Sequence, residues 1–339
     1  MSGFHSLTAA VRGCLLFSML SCLPLAAHAQ SGASPSNSSD WPDRSLRMIV
    51  PFPAGGATDV VARIIAQQAG TELGRQVVVE NKSGAGGTIG AGEAAKAQPD
   101  GYTVLLTTTS THSVSPHLFD NLPYDAKQDF TPIAHLGTAG TVLLVTPSLP
   151  VQSVQELIDY AKENPGKLNY ASSGNGTIVH LGTEAFMAQA GIEMTHVPYR
   201  GTGQAMTDLM AGNVQVLMDA IPTGMPYVKK DQLRALAVTT TERSALAPDL
   251  PTLDESGLPG FESTTWFGVY TPVGVPQERQ ARLHDAFLKA VQAPAVVERL
   301  QSLGIDPAGP HMPEDFAALV QADSDRWKKV IEDGNISVQ

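Results

Sequence analysis

The chain repeats one local pattern from residue 47 onward: a short apolar run, a glycine-rich turn and an amphipathic helical segment. In its first occurrence, Arg47–Phe52 (RMIVPF) predicts a buried strand, Ala54–Gly56 predicts the turn, and Thr58 is the expected N-cap of the following helix. One face of that helix is apolar through Val60, Val61, Ile64, Ile65 and Leu73. Strands that alternate with helices in this way predict an α/β fold with two mainly parallel sheets flanked by helices.

The alternation continues to the C-terminal region. Further strands are expected at Val77–Glu80, Tyr102–Thr107, Leu168–Ala171, His196–Tyr199, Val214–Ala220 and Leu233–Thr239. Further helices are expected at Ile178–Ala190, Gln277–Ala293 and Pro313–Asp333. Ser153 and Glu156 form a capping-box pattern, which predicts the start of another helix that ends near Asn164.

The length of the chain suggests two domains. Two long extended segments, Ile133–Thr146 and Ser263–Thr271, predict strands that cross from one domain to the other and back. We therefore expect domain 1 to combine residues 43–137 and 269–339, with domain 2 (residues 138–268) inserted between them. A hinge of two crossing strands would let such domains close on a ligand.

Residues 1–29 have the features of a cleaved secretory signal peptide. Arg12 is the only formal charge in this segment, and Ala27–Ala29 forms a small-x-small cleavage site. The apolar stretch Cys14–Ala27 is shorter than the roughly 20 residues that span a bilayer, although an uncleaved anchor is the alternative. Residues 30–42 are mostly small and polar, which predicts a disordered leader.

Both cysteines, Cys14 and Cys22, fall in the predicted signal peptide, so the mature chain would have no thiol, disulfide or cysteine metal site. A lipoprotein signal at Cys22 is a further alternative, but Met19–Ser21 matches it poorly. Removal of Arg12 leaves 21 basic and 33 acidic side chains, and no block of Lys or Arg occurs. This composition argues against nucleic acid and anionic membranes as partners. No cofactor motif or histidine metal spacing occurs either.

The strongest local signal for a binding site is Pro51–Asp59 (PFPAGGATD), where a strand ends, glycines follow and a helix begins. The first N–H groups of a helix have no internal partner, and the helix dipole favours an anion placed there. An ordinary glycine-rich turn is the alternative interpretation. A nucleotide P-loop is excluded, because no Gly-Lys-Ser/Thr follows.

Three more segments place glycines or hydroxyls where a strand ends: Ser172–Thr177 (SSGNGT), Tyr199–Gly203 (YRGTG) and Thr107–Ser113 (TTTSTHS). In open α/β folds the ligand binds at the C-terminal edges of the strands, so we expect the four segments to meet around one pocket. Because the whole chain is acidic, such a pocket must bind an anion through local geometry, chiefly backbone N–H groups.

Several long motifs resemble those of the Bug receptors, the receptors of tripartite tricarboxylate transporters: PFPAGGATDVVAR, NKSGAGGTIGA, QPDGYTVLL, LNYASSGNGTIVHL and VPYRGTGQAMTDLMAGNVQV. The resemblance runs from about Trp41 to the C-terminus. It implies a periplasmic Venus-flytrap protein of two α/β domains that holds a ligand carboxylate between two opposed loops, partly through ordered waters. Those loops would be Phe52–Asp59 and Gly201–Gln204 here.

The resemblance and the loop chemistry together give one set of candidate ligand-binding residues: Phe52, Ala54, Gly55, Gly56, Asp59, Ser110, Thr111, Ser172, Gly174, Gly176, Thr177, His180, Arg200, Gly201, Thr202, Gly203 and Asp219. For some of these residues a purely structural role is the alternative to ligand binding. His180 is open to a packing role on its helix face, and Asp59 to a role as a helix-capping carboxylate. Arg200 invites a carboxylate clamp, yet the family pattern favours backbone recognition.

The function expected from these features is that of a monomeric periplasmic receptor, which captures a small carboxylate for integral-membrane transporter subunits. A sensory receptor that presents its closed form to a periplasmic kinase uses the same binding chemistry and stays open as an alternative. An exported hydrolase is the rival enzyme class. However, the chain has no Gly-x-Ser-x-Gly elbow and no HExxH helix. The identity of the carboxylate is not encoded in any motif.

Overall fold

A computed structural model describes residues 41–334 and 336. The predicted signal peptide and residues 30–40 of the predicted leader lie outside the described residues. Trp41 is buried in the core, and its carbonyl accepts a hydrogen bond from Arg282, so the described fold includes this end of the leader.

The described chain contains ten strands and ten α-helices. The strands are β1 (Leu46–Val50), β2 (Val77–Asn81), β3 (Thr103–Thr108), β4 (Phe130–Val145), β5 (Asn169–Ser172), β6 (Thr195–Pro198), β7 (Val216–Ala220), β8 (Arg234–Val238), β9 (Thr264–Pro272) and β10 (Ile305–Pro307). The helices are α1 (Ala57–Leu73), α2 (Thr88–Ala95), α3 (Ser115–Leu118), α4 (Val154–Glu163), α5 (Ile178–Ala190), α6 (Thr202–Ala211), α7 (Ile221–Val228), α8 (Gln277–Gln292), α9 (Pro294–Ser302) and α10 (Pro313–Asp333).

The strands follow the order β2-β1-β3-β9-β4-β7-β5-β6, with β8 and β10 also paired to β4. Strands β1, β2 and β3 are parallel to one another, and so are β5, β6 and β7. Every pair that includes β4 or β9 is antiparallel. The 16-residue strand β4 belongs to both groups, so it joins a first sheet (β1–β3, β9, β10) to a second one (β5–β8). The predicted α/β fold with flanking helices is thereby confirmed.

Helix ends follow local chemistry. Ser153 caps α4 as predicted, because its Oγ accepts from Glu156 N–H at 3.2 Å. In a capping box the Glu156 carboxylate would accept from Ser153 N–H. Here it accepts from the preceding amide instead, Gln152 N–H, at 2.6 Å. The expectation that Thr58 caps α1 is wrong. Gly56 occupies the N-cap position with extended backbone angles, and Thr58 lies inside the first turn.

Separate cores form on the two sheets, and the C-terminal helices pack on them. In α8, Leu283 and Phe287 join the core of the first sheet. Helix α10 reaches both sheets, because Phe316 packs with Ile49 under the first sheet and Trp327 packs in a core of the second. In the described part of the chain, no helix is both long and apolar enough to cross a membrane.

Candidate functional site

The candidate site is a cavity of about 200 Å³ between the two sheets, which we call the cleft cavity. Its floor is built by the crossing strands, through Ala139 and Thr141 of β4 and Thr265 and Phe267 of β9. Ala139 pairs with Thr265 across the two strands, and Ile305 of β10 pairs with Ala139 on its other side. Because side chains two apart on a strand share a face, these residues present one continuous surface to the cavity.

The first wall of the cleft cavity is the N-terminus of α1. Gly56, Ala57 and Thr58 line it, and no side chain caps the helix. Gly55 has φ +83°, a left-handed conformation that glycine adopts without strain and that bends the chain into this end of the helix. The orphan N–H groups of the first turn of α1 therefore lie beside the cavity.

Asp59 does not line the cavity, but its hydrogen bonds hold this wall in place. Its buried carboxylate accepts from Gly55 N–H at 2.9 Å, from Asn81 Nδ2 at 3.0 Å and from Arg63 Nε at 3.0 Å. Burial alone would raise the pKa of Asp59, but the hydrogen bonds from Arg63, Gly55 and Asn81 lower it overall. Asp59 is thus an ionised, fully engaged carboxylate that fixes the glycine loop.

The N-terminus of α6 forms the opposite wall. Gly201 is its N-cap, Thr202 is its first residue, and again no side chain caps the helix. Both residues line the cleft cavity. A Cβ atom built on Gly201 would lie 3.6 Å from Pro53 Cγ, so the two walls approach each other closely at their rim. Two positive helix ends therefore converge on one small volume.

Helix α5 has a third N-terminus nearby, but protein groups occupy it. Ser110 Oγ accepts from Ile178 N–H at 3.1 Å, and Thr177 Oγ1 accepts from His180 N–H at 3.4 Å. Ser110 opens a π-helical turn, Ser110–Val114, which follows β3 and was not predicted. This turn brings the end of the first sheet against the second and leaves only α1 and α6 with open N-termini among the three helices.

The polar groups of the segment Ser172–Thr177 are likewise occupied, by hydrogen bonds to residues of the second sheet and its helices. Ser172 Oγ accepts from Gly174 N–H at 3.1 Å and lies 2.6 Å from His196 Nε2. His180 Nδ1 accepts from Gly176 N–H at 3.3 Å, and its ring stacks on His196 with centroids 4.1 Å apart. Burial and the neighbouring His180 lower the pKa of His196 to about 4.

Asp219 is the penultimate residue of β7, lines the cleft cavity and is 4% exposed. Burial raises the pKa of its carboxyl to about 6, although a hydrogen bond from Thr223 Oγ1 at 2.7 Å partly offsets this effect. The cavity therefore contains a carboxyl group that is poorly solvated when ionised.

The structure divides the predicted site residues into three groups. Eight line the cleft cavity: Phe52, Gly55, Gly56, Ser110, Arg200, Gly201, Thr202 and Asp219. Two line a wider cavity of about 700 Å³ at its mouth: Ala54 and Gly203. Seven line neither cavity: Asp59, Thr111, Ser172, Gly174, Gly176, Thr177 and His180. In Thr111, for example, the buried hydroxyl is shared among Thr107, the Thr108 carbonyl and His112.

Other cavity residues were not predicted. Ala139, Thr141, Thr265 and Phe267 lie on the two crossing strands, which were predicted only as a hinge. The alternation of side chains along β4 and β9 is the signal that would have identified them as a floor. Leu303 and Ile305 carried no such signal. They flank Gly304, whose φ of +67° turns the chain from α9 into β10. No group of three or more metal-ligating side chains occurs within residues 41–334.

Comparison with known proteins identifies the family. Residues 61–336 match the tripartite tricarboxylate transporter family receptor. BugT of Bordetella pertussis is 35% identical over 302 residues, which cover 89% of this chain and 92% of BugT. The structure of R. palustris Rpa4515 with adipate superimposes with a TM-score of 0.84 at 37% identity, covering 88% of this chain and 99% of that one.

MatC from Rhodopseudomonas palustris with bound malate superimposes with a TM-score of 0.82 at 34% identity, covering 86% of this chain and all of that one, 100%. The match in sequence and fold over most of the chain confirms both the resemblance to the Bug receptors and the predicted periplasmic-binding-protein fold. The chain belongs to the tripartite tricarboxylate transporter receptor family.

Proposed function

We propose that the protein is a periplasmic receptor that captures one small carboxylate in the cleft cavity and delivers it to integral-membrane transporter subunits. The observation that carries this proposal is the convergence of two uncapped helix N-termini, those of α1 and α6, on one cavity. Each offers orphan N–H groups and the positive end of a helix dipole, which favour a bound carboxylate.

Because the overall charge is negative, the attraction for an anion must come from groups that line the cavity. The chain has a formal net charge of −11, so its long-range field repels an anion. Arg200 is the one cationic side chain on the described lining of the cleft cavity, and it is exposed. Backbone donors therefore supply the main attraction, with Arg200 at the edge of the pocket. Adipate and malate, the ligands of two relatives, are both small carboxylates.

Binding is proposed to close two domains on the ligand. Residues 43–137 with 269–339 would form domain 1 and residues 138–268 domain 2, hinged on β4 and β9. The α1 and α6 walls then belong to different domains, so a ligand that contacts both binds the closed form better than the open one. The closed monomer would be the form that membrane partners recognise, after export and removal of residues 1–29.

An enzymatic role is less well supported. Ser172 and His196 make a contact near the cleft that resembles a nucleophile with its base, at 2.6 Å. However, Ser172 is fully buried, lies outside the cleft cavity and also binds Gly174 N–H. A substrate carbonyl cannot reach its Oγ without unfolding this segment. A sensory role remains the second candidate, because closure would serve a kinase partner equally well.

Titration calorimetry on the exported protein tests the proposal. The panel should contain aliphatic, aromatic and amino-acid carboxylates, with neutral sugars and inorganic cations as controls. We expect a carboxylate to bind with a stoichiometry of one. Binding of sugars or cations, with no response to any carboxylate, would contradict the proposal.

A further inference from the structure

The two ends of the cleft cavity differ in polarity and charge. Its described lining contains one cation, Arg200, and one anion, Asp219. Arg200 and Lys230 both line the wider cavity at the mouth, and the open ends of α1 and α6 line it as well. The cationic side chains and the open helix ends therefore all lie on the outer side of the cavity.

The inner side is mainly apolar. Phe267 and Ile305 are almost fully buried on the floor, and Leu303 and Val60 complete this surface. None of these side chains can solvate a charge, so a carboxylate placed against them would lose its hydration without compensation. An alkyl chain or ring placed there would instead remove apolar surface from water on both partners.

Several hydroxyl groups in the cavity are engaged with protein, but the buried Thr265 Oγ1 on the floor has no hydrogen-bond partner among the described residues. Thr141 Oγ1 lies 2.8 Å from Thr239 Oγ1, and Ser110 accepts from Ile178 N–H. Ser173 donates to Thr177 at 3.0 Å. All of these hydroxyls, Thr265 included, are neutral and carry no charge that could offset a second carboxylate. The N-terminus of α5 cannot do so either, because Ser110 closes it.

Asp219 adds a repulsive element. Its carboxyl borders both the cleft cavity and the mouth, close to the α6 wall. When ionised, it disfavours a second negative charge in a small, poorly hydrated volume. One ligand carboxylate has the helix ends to offset this repulsion, whereas a second one has nothing comparable.

We infer that the ligand of this receptor carries a single carboxylate on an apolar body, and that the inner cavity selects against dicarboxylates. The inference rests on the proposed function, since it assumes that the cleft cavity is the ligand site. The carboxylate lies at the ends of α1 and α6, and the apolar body lies on Phe267, Ile305 and Leu303.

Hexanoate and adipate are matched probes, because they have the same chain length and differ by a terminal methyl or carboxylate. We expect calorimetry on the full exported protein to give hexanoate an affinity at least about tenfold higher than adipate. Butyrate should bind roughly fifteenfold more weakly than hexanoate, because two methylenes are removed from the apolar floor. Equal or tighter binding of adipate would overturn this inference and leave the proposed function intact, whereas binding of no carboxylate would overturn both.

A variant provides a second test, which does not depend only on the preference of the wild type for hexanoate over adipate. Leu303→Lys places a cation on the half-buried inner wall, and should shift the hexanoate-to-adipate affinity ratio at least about tenfold toward adipate. Leu319→Lys, at an exposed leucine of α10 outside the cavity, is the matched control and should leave the ratio unchanged. Circular dichroism and the thermal midpoint establish that both variants fold. A folded Leu303→Lys protein with an unchanged ratio would contradict the assignment of the apolar end.

Discussion

Ser110 Oγ accepts a hydrogen bond at 3.1 Å from Ile178 N–H, the first amide of α5, although 68 positions separate the two residues. Ser110 follows β3 of the first sheet and Ile178 follows β5 of the second, so the bond joins the two sides of the cleft. It also closes the N-terminus of α5. The same contact therefore helps to hold the cleft together and restricts anion binding to α1 and α6.

This bond predicts a specific effect of Ser110→Ala. Loss of one hydrogen bond across the cleft should weaken the closed form, and reduce carboxylate affinity about fivefold for a bond of about 1 kcal/mol. Ser113→Ala is the matched control, because Ser113 lies in the same turn and its buried Oγ has no partner among the described residues. Calorimetry with the tightest-binding carboxylate measures both variants. Equal affinities of the two would mean that the Ser110 bond does not contribute to closure.

Proline at the first position of α1 provides a direct test of backbone recognition. Ala57→Pro removes one N–H that faces the cavity, and proline at this position preserves a helix. Because a hydrogen bond to a charged group contributes about 1.5–3 kcal/mol, affinity should fall by about tenfold or more. Gln277→Pro makes the same change at the first position of α8, remote from the cavity, and should bind normally.

The comparison with Arg200→Ala separates the two modes of recognition. Arg200 is exposed at the edge of the cavity, so we expect its loss to reduce affinity less than Ala57→Pro does. If Arg200→Ala abolished binding while Ala57→Pro bound normally, a guanidinium clamp would replace the backbone interpretation.

Asp219 predicts a characteristic dependence of stability on pH. Its pKa rises from an ordinary value of 3.8 to about 6 on folding, so the native state holds a proton more tightly than the unfolded state does. This contribution is fully present below about pH 4 and is lost as the pH rises through 6, a loss of about 3 kcal/mol by pH 7. In Asp219→Asn the loss should be absent.

Urea unfolding of both proteins at pH 4, 5, 6 and 7 measures this difference. The wild type should lose stability relative to Asp219→Asn as the pH rises. Between pH 6 and 7, where the ligand carboxylate stays ionised, its affinity should fall only in the wild type. His196 changes protonation in the same interval, but it is common to both proteins and does not affect the comparison. Parallel stability curves for the two proteins would show that Asp219 ionises normally.

Much of the fold follows from the periodicity of the sequence. Helix α5 begins and ends at the predicted residues, Ile178 and Ala190, because Thr177 caps it and Gly191 ends it in a left-handed conformation. The two crossing strands were also predicted from length and apolarity. By contrast, β10 has only three residues and depends on pairing with β4, so no local pattern reveals it.

The site was predictable to the extent that it depends on helix ends. Gly56 and Gly201 were identified because a glycine between a strand and a helix is visible in the sequence. Which helix ends stay open is a tertiary property, as Ser110 illustrates by closing α5 from a distant position. The apolar floor is tertiary as well, since Leu303 and Phe267 lie far apart in the chain and meet only in the folded protein.

Domain closure has a consequence for the shape of the molecule. If the ligand joins two hinged domains, small-angle X-ray scattering should give a smaller radius of gyration at saturating carboxylate than without it. Ser113→Ala should show the same contraction as the wild type. A constant radius despite calorimetric binding would mean that the ligand does not change the angle between the domains.

The central claim is that one carboxylate is held by the N-termini of α1 and α6 together. Amide ¹⁵N–¹H NMR during titration with the tightest-binding carboxylate tests it most directly, because hydrogen bonding to an anion shifts the proton resonance of the donor amide. We predict downfield shifts for amides of Gly56–Asp59 and of Thr202–Gln204 at the same ligand concentration, with little change at Ile178, whose N–H is bound to Ser110. Shifts confined to one of the two helix ends, or centred on α5, would contradict the account.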